Sequence, residues 1–431
     1  MILASRPPSE WLSGSSSRSA VEYANNLQGN IIDQLFFFFV LSGAFLIASM
    51  RRIKWRRLFA ANTPIMLFYM YFVISILWSS DPSGSTKRII KDFGLLFSIG
   101  VMLCEKDPLQ AMRAVYVRCA YLLLPLSVVF IKYFPRYGRG YGLGGEMMFT
   151  GVATQKNSLG ELSMISILFL IWDYLEMRPA GKKTRLSGVH LELVVLLLTG
   201  VWLLRLCQSK SALVCTVLGI FLLVRSGRLL YRPLSRAIFA VALALPFLLL
   251  FTVKFSEVIA PLLHALGRDA TFTGRTNIWE HITFATVNPL IGAGYWNFWG
   301  GPGGYSINLA MDSLIPNAHN GYLDMYLDGG IIGITLLLSM LVICGLRIMK
   351  HLRAGGDPDH YQRMRFAILI AAIIYNLTES AFARLGPMWL TTLLMMVDYR
   401  PVKAAAANVR KALDQRQNSK TIYGAPTLSN Q

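Results

Sequence analysis

With 431 residues, 54% of them hydrophobic and 15% charged, and a mean hydropathy of +0.47, the chain carries more apolar surface than one soluble core can bury, which excludes a soluble globular enzyme. The 42 Lys and Arg against 23 Asp and Glu leave a net charge of +19; in a membrane protein this excess reports cytoplasmic loops, and a nucleic-acid surface is the weaker reading. Cys104, Cys119, Cys207, Cys215 and Cys344 fall in apolar runs without CxxC or Cys/His ligand spacing, so neither a disulfide framework nor a zinc site is expected.

Residues 1–30 lack the ordered features of a targeting signal. They begin Met1-Ile2-Leu3-Ala4, like the tail of an apolar helix, and the expectation is that leading spans precede them. The runs 34–50, 58–80, 237–253 and 329–346 are near the length that crosses hydrocarbon. Shorter runs at 93–104, 119–131, 162–172, 193–204, 211–224, 366–378 and 385–397 reach that length when flanking charged side chains snorkel.

The expected fold is all-α and polytopic, with about eleven membrane spans. An external segment 1–30 leads to eight spans over 31–253. A large outer loop with short helices follows at 254–328, then three spans over 329–398 and a disordered basic tail at 399–431. Threading eleven spans puts the basic clusters at 51–57, 178–185, 225–236 and 347–365 on one side, cytoplasmic by the charge rule. The connections 132–157 and 254–328 then fall on the periplasmic side.

A loop as long as 254–328 is usually functional. Its segment Thr273–Ile282 reads as a turn entering a helix with Arg275 at the start. A guanidinium beside free backbone N–H groups suits a phosphate or diphosphate; the alternative is a loop salt bridge with Glu280 or Asp269. Further on, Asn317 reads as the cap of a short helix that carries His319, Tyr322 and Tyr326 on one face and stops at Gly329-Gly330. In its first turn His319 is either a base for a sugar hydroxyl or a capping histidine.

Lys156 and Lys210 stand at outer ends of spans, against the charge bias, where they either meet an anionic ligand or snorkel to headgroups. Arg136 and Arg139, in the loop Pro135–Gly145, add to the same field. Tyr295, Trp296, Phe298 and Trp299 either stack on sugar faces or form an interfacial belt. Gly292-Ala293-Gly294 lacks the third glycine and context of a dinucleotide loop, and no phosphate loop occurs, so neither nicotinamide nor ATP is implied. Asp33, Glu161, Asp173 and Glu379 border or enter apolar runs, as in an ion pathway, yet do not recur in two halves as a transporter's would.

Trp78-Ser79-Ser80-Asp81-Pro82, Gly151–Gly160 with Lys156-Asn157, Thr273-Gly274-Arg275 through Trp279, Asn288–Gly294, and His319-Asn320 with Leu323 and Gly330 together resemble the O-antigen ligase and polymerase superfamily, most closely its ExoQ-like exopolysaccharide polymerases. The resemblance covers about 70 to 385. It implies a metal- and nucleotide-independent glycosyltransferase of the all-helical membrane (GT-C-like) type, without cofactor, in the bacterial inner membrane. Such an enzyme takes glycan from undecaprenyl diphosphate on the periplasmic side. By the same resemblance Lys210, Arg275 and His319 are catalytic; Lys156, Asn157, Asn320, Arg136, Arg139, Tyr295, Trp296 and Trp299 are the expected substrate-binding residues around them. Lys210 stands where the ligases commonly carry arginine, so it offers a point charge in place of a fork. Implied partners are the lipid-linked oligosaccharide, the bilayer, and chain-length regulator or export proteins, with no nucleic acid. Polymerase is favoured over ligase; a polysaccharide or lipid transporter is the alternative of another class.

Overall fold

The computed structural model describes residues 8–13, 30–51, 55–141, 145–177, 189–229, 232–254, 275–283, 285–354 and 360–398. The basic loop 178–185, the first part of the large loop at 255–274 and the tail 399–431 lie outside these residues. The helices in chain order are α1 (Pro8–Ser13), α2 (Ile31–Met50), α3 (Trp55–Ala61), α4 (Thr63–Ile74), α5 (Pro82–Leu103), α6 (Pro108–Tyr133), α7 (Lys156–Met177), α8 (Val189–Leu206), α9 (Lys210–Leu229), α10 (Arg232–Lys254), α11 (Arg275–Thr283), α12 (Pro302–Ala310), α13 (Gly321–Ala354), α14 (His360–Tyr375) and α15 (Pro387–Met396).

Local chemistry sets several of these starts. Asn30 Oδ1 accepts the Ile32 N–H at 2.9 Å, and Asp81 and Asp107 cap α5 and α6 ahead of prolines in the first turn. The run 58–80 is one apolar stretch in sequence but α3, α4 and a 3-10 turn at Ser75–Trp78 in space. Pro64, in the first turn of α4, cannot continue α3 because it lacks an N–H. An antiparallel hairpin, β1 (Arg139–Tyr141) and β2 (Met147–Phe149), pairs Gly140 with Met148, a small departure from the all-α expectation.

Every apolar run of the sequence is largely helical, though not each as a crossing. Ile31–Met50, Pro108–Tyr133, Lys156–Glu176 and Gly321–Leu352 are long and apolar enough to cross alone. The ten residues of α15 rise only about 15 Å, roughly half the hydrocarbon thickness. The junctions between helices sort to two ends of the bundle. At one end Arg51 meets Glu105 at 2.8 Å, the Asp398 N–H donates to Asn62 at 2.7 Å, and Arg365 donates to the Met395 carbonyl at 2.7 Å. At the other, Ser85 donates to the Tyr295 carbonyl at 2.9 Å and Ser211 bonds Thr378 at 2.6 Å.

The centre of the bundle is α14, α7 and the start of α15, whose Phe366, Phe169, Trp172 and Trp389 are fully buried. The segment 376–386 joins α14 to α15 at the second end and turns back into the bundle rather than emerging from it, with Asn376, Glu379, Ala381, Phe382 and Ala383 all buried.

Candidate active site

That inturned segment is built on Asn376. Its Oδ1 accepts the N–H groups of Ala381 and Phe382, both at 2.8 Å. The Gly321 N–H, first in α13, donates to the carbonyls of Asn376 at 2.9 Å and Glu379 at 3.0 Å. Glu379 is thereby fixed against the start of α13, and its carboxylate gathers three of the residues singled out from the sequence. Oε1 accepts from Arg275 at 2.6 Å and from the Asn157 amide at 2.8 Å; Oε2 lies 3.8 Å from His319 Nδ1.

Arg275 is the first residue of α11, as its turn-to-helix pattern indicates, and among the described residues its carboxylate partner is Glu379 in place of Glu280. Glu280 is exposed, Asp269 lies outside the described residues, and Glu379 is 104 positions away in sequence. Trp279, one turn along α11, donates its indole N–H to the Ala318 carbonyl at 2.8 Å and ties the helix beside His319.

His319 sits just outside its helix, a correction to the expected cap at Asn317. Asn320 takes the capping role, accepting the N–H groups of Tyr322 at 3.0 Å and Leu323 at 3.2 Å, while Asn317 accepts the His319 N–H at 2.9 Å. The physical reason is the left-handed backbone of His319 (φ 49), which turns the chain before the helix begins. The short helix does break at Gly329-Gly330, as expected: Gly330 is non-helical (φ 62, ψ −161), and beyond this kink a second helix continues through the bundle as the rest of α13. The bend is held by Tyr71, whose hydroxyl donates to the carbonyls of Gly329 at 2.6 Å and Ile291 at 3.1 Å.

Lys156, Lys210 and Arg275 each open a helix. A cation is disfavoured beside the positive end of the helix dipole, so helix stability does not explain any of the three. Lys210 is exposed and adjoins Ser211, whose partner Thr378 is the neighbour of Glu379. α7 and α9 approach closely here, because a Cβ on Gly160 would lie 2.7 Å from that of Ser209. The structure thus brings Arg275, His319 and Asn157 into direct relation through Glu379 and leaves Lys210 and Lys156 at the same end of the bundle.

Other expected ligand residues have structural partners instead. Tyr295 is fully buried, donating to Asp92 and to the Ala383 carbonyl; burial and the Asp92 charge push its phenol well up, so it stays protonated. Trp299 is buried and donates to Asp324 at 2.8 Å. Neither presents a ring face to a sugar. Trp296 has Arg384 over its ring at 4.5 Å. The buried Asn320 side-chain oxygen is engaged in capping, and Arg139 donates to the Ile131 carbonyl at 3.0 Å within the hairpin base. Arg136 is exposed, three residues before β1 of that hairpin.

Glu379 and Arg384 are the residues whose roles sequence reasoning missed. Arg384 lies 3.1 Å from Asp328 and 3.4 Å from Asp324; burial lowers its proton affinity, and the two carboxylates more than reverse this. The network binds the start of α13 to residues 295–299. The one available signal was an acid and a base in the short gap between two apolar runs, which in a membrane protein marks function or mutual pairing.

A family profile described as O-antigen ligase matches residues 193–338, a stretch that contains Lys210, Arg275 and His319. The exopolysaccharide production protein ExoQ of Rhizobium meliloti (strain 1021) is 27% identical over 312 residues, 70% of this chain and 68% of that protein. Taken with the motifs on which the resemblance stands, these matches support the chain's membership of the O-antigen ligase and polymerase superfamily, on its ExoQ-like side.

Proposed function

We propose that this protein is a polymerase that extends exopolysaccharide from polyprenyl-diphosphate-linked repeat units at the periplasmic face of the inner membrane. The observation that carries the reading is the meeting of Arg275, His319 and Asn157 on Glu379 at one end of a bundle of apolar helices. The name of the R. meliloti relative supplies the product class. In the reaction the bond between the anomeric carbon and the diphosphate oxygen breaks, and the acceptor hydroxyl oxygen bonds to that carbon. The hydroxyl proton passes to a base.

Arg275 meets the diphosphate as charge develops on it, with Lys210 and Lys156 extending the field, so neither metal nor nucleotide is called for. His319 receives the proton. Glu379 orients both groups: Oε1 sets the guanidinium and Oε2 faces the imidazole Nδ1, leaving Nε2 for the acceptor. The diphosphate displaces part of the carboxylate's hold on Arg275 when it binds.

The test is purified protein with a lipid-linked oligosaccharide, free of nucleotide and metal; the expected result is a ladder of longer lipid-linked chains. The family profile's own description favours a second reading, ligation to a lipid or protein acceptor. In the same assay that reading yields products only when the second acceptor is added.

A further inference from the structure

The helix α5 presents different chemistry on two faces of the same two turns. Arg88 donates to the Trp296 carbonyl at 2.8 Å and Asp92 accepts from Tyr295, so this face supports the loop beside the candidate site. Lys87 and Lys91, one position earlier in each turn, point instead into a cleft between α5 and α2.

The cleft has a volume of about 830 Å³ and is walled by Phe37, Phe38, Phe45 and Phe97. Its floor closes where Gly94 meets Leu41 and where Phe97 stacks on Phe45 and Trp55 at 6.0 and 5.2 Å between ring centres. Among the described residues its lining holds two lysines and no acid. Asp33, on the neighbouring turn of α2, and Asp92 both attract Lys91 electrostatically, but Asp33 is tied to Ser9, which donates its N–H at 2.8 Å and its hydroxyl at 2.6 Å, and Asp92 accepts from Tyr295, so neither carboxylate lines the cleft. Lys91 also lies 5.1 Å from the centre of the Phe37 ring.

We infer that this cleft is a binding site for an anionic phospholipid, whose phosphate sits between Lys87 and Lys91 while one acyl chain follows the phenylalanine wall. The two lysines lie about 8 and 14 Å along α5 from its start, the depth from which an ammonium reaches a headgroup phosphate. Cations in the outer half of a span run against the charge bias and call for an anion. The volume is that of a small-molecule site, and the apolar walls accept a chain. Because Lys87 and Lys91 alternate with Arg88 and Asp92, an occupied cleft stiffens the same turns that hold Trp296 and Tyr295. The site is separate from any donor site at Arg275, since α5 itself stands between them.

The inference rests on the membrane reading above, with α5 starting at the outer face. Its test is native mass spectrometry of protein released from vesicles of mixed phosphatidylglycerol and phosphatidylcholine. Wild-type protein and the Lys87→Arg/Lys91→Arg variant should retain phosphatidylglycerol, and Lys87→Gln/Lys91→Gln should retain about tenfold less. Phosphatidylglycerol titrated into delipidated wild-type protein should raise its melting temperature more than phosphatidylcholine does, a readout that needs no variant to fold. Equal retention by the glutamine variant, an equal response to the two lipids, or efficient cross-linking of Phe38→Cys to a second copy would each overturn it. The lipid measurements use no donor and so do not depend on the transferase reading; protein that holds the anionic lipid yet elongates nothing when lipid-linked oligosaccharide is supplied refutes that reading alone.

Discussion

Glu379 Oε2 stands 3.8 Å from His319 Nδ1, and that nitrogen is buried without a hydrogen-bond partner among the described residues. A buried donor left unmade is costly. A shift of about 1 Å closes the contact to hydrogen-bond distance, the movement that the proposed role of His319 requires.

Glu379→Gln keeps the shape of the side chain and removes the charge that orients Arg275 and His319. Turnover should fall about a hundredfold, while the protein remains folded. Elongation rates set beside melting temperatures check this; wild-type turnover would exclude Glu379 from the site.

Arg275→Ala and Lys210→Ala should each lower turnover by about a hundredfold, equivalent to roughly 3 kcal/mol, and the double variant should fall short of the product of the two. The singles differ in stability. Arg275→Ala leaves the buried Glu379 carboxylate without its cation, at a cost of about 3 kcal/mol or more, and a second change, Glu379→Gln, should restore the melting temperature without restoring activity. Lys210 is exposed, so Lys210→Ala should melt like wild type.

Trp299→Phe removes the hydrogen bond to buried Asp324 and should cost about 1–3 kcal/mol of stability. Its KM for the lipid-linked donor should stay at the wild-type value. A raised KM without loss of stability would return Trp299 to the role of a sugar platform.

Gly330→Ala places a Cβ 2.3 Å from the Leu290 carbonyl carbon and oxygen at φ 62. Clash and left-handed strain together should cost about 3 kcal/mol or more, seen as a loss of folded, membrane-extracted protein. Near-normal yield would mean that the bend is set elsewhere.

The helices were legible because apolar runs of spanning length have few other fates, and the start of α11 at Arg275 followed from its turn signals. The cap of α13 was misplaced by three residues, because Asn317 and Asn320 are equally good caps locally and only the backbone of His319 chooses between them. Glu379 was visible as an acid in an apolar setting, but its partners are 60, 104 and 222 positions away, and no local pattern encodes such separations. The aromatic cluster misled for a related reason: a ring that stacks on a sugar and a ring that donates to Asp324 look alike until the neighbour across the fold is known.

Arg275 already carries its own anion in Glu379. A guanidinium held by an internal carboxylate attracts free phosphate and other small anions weakly, since each must outcompete a tethered rival. A diphosphate that arrives with its lipid and glycan contacts can do so. If the proposed reaction holds, the same rivalry runs in reverse after transfer, and the returning Glu379 carboxylate helps to expel the spent polyprenyl diphosphate that would otherwise occupy Arg275.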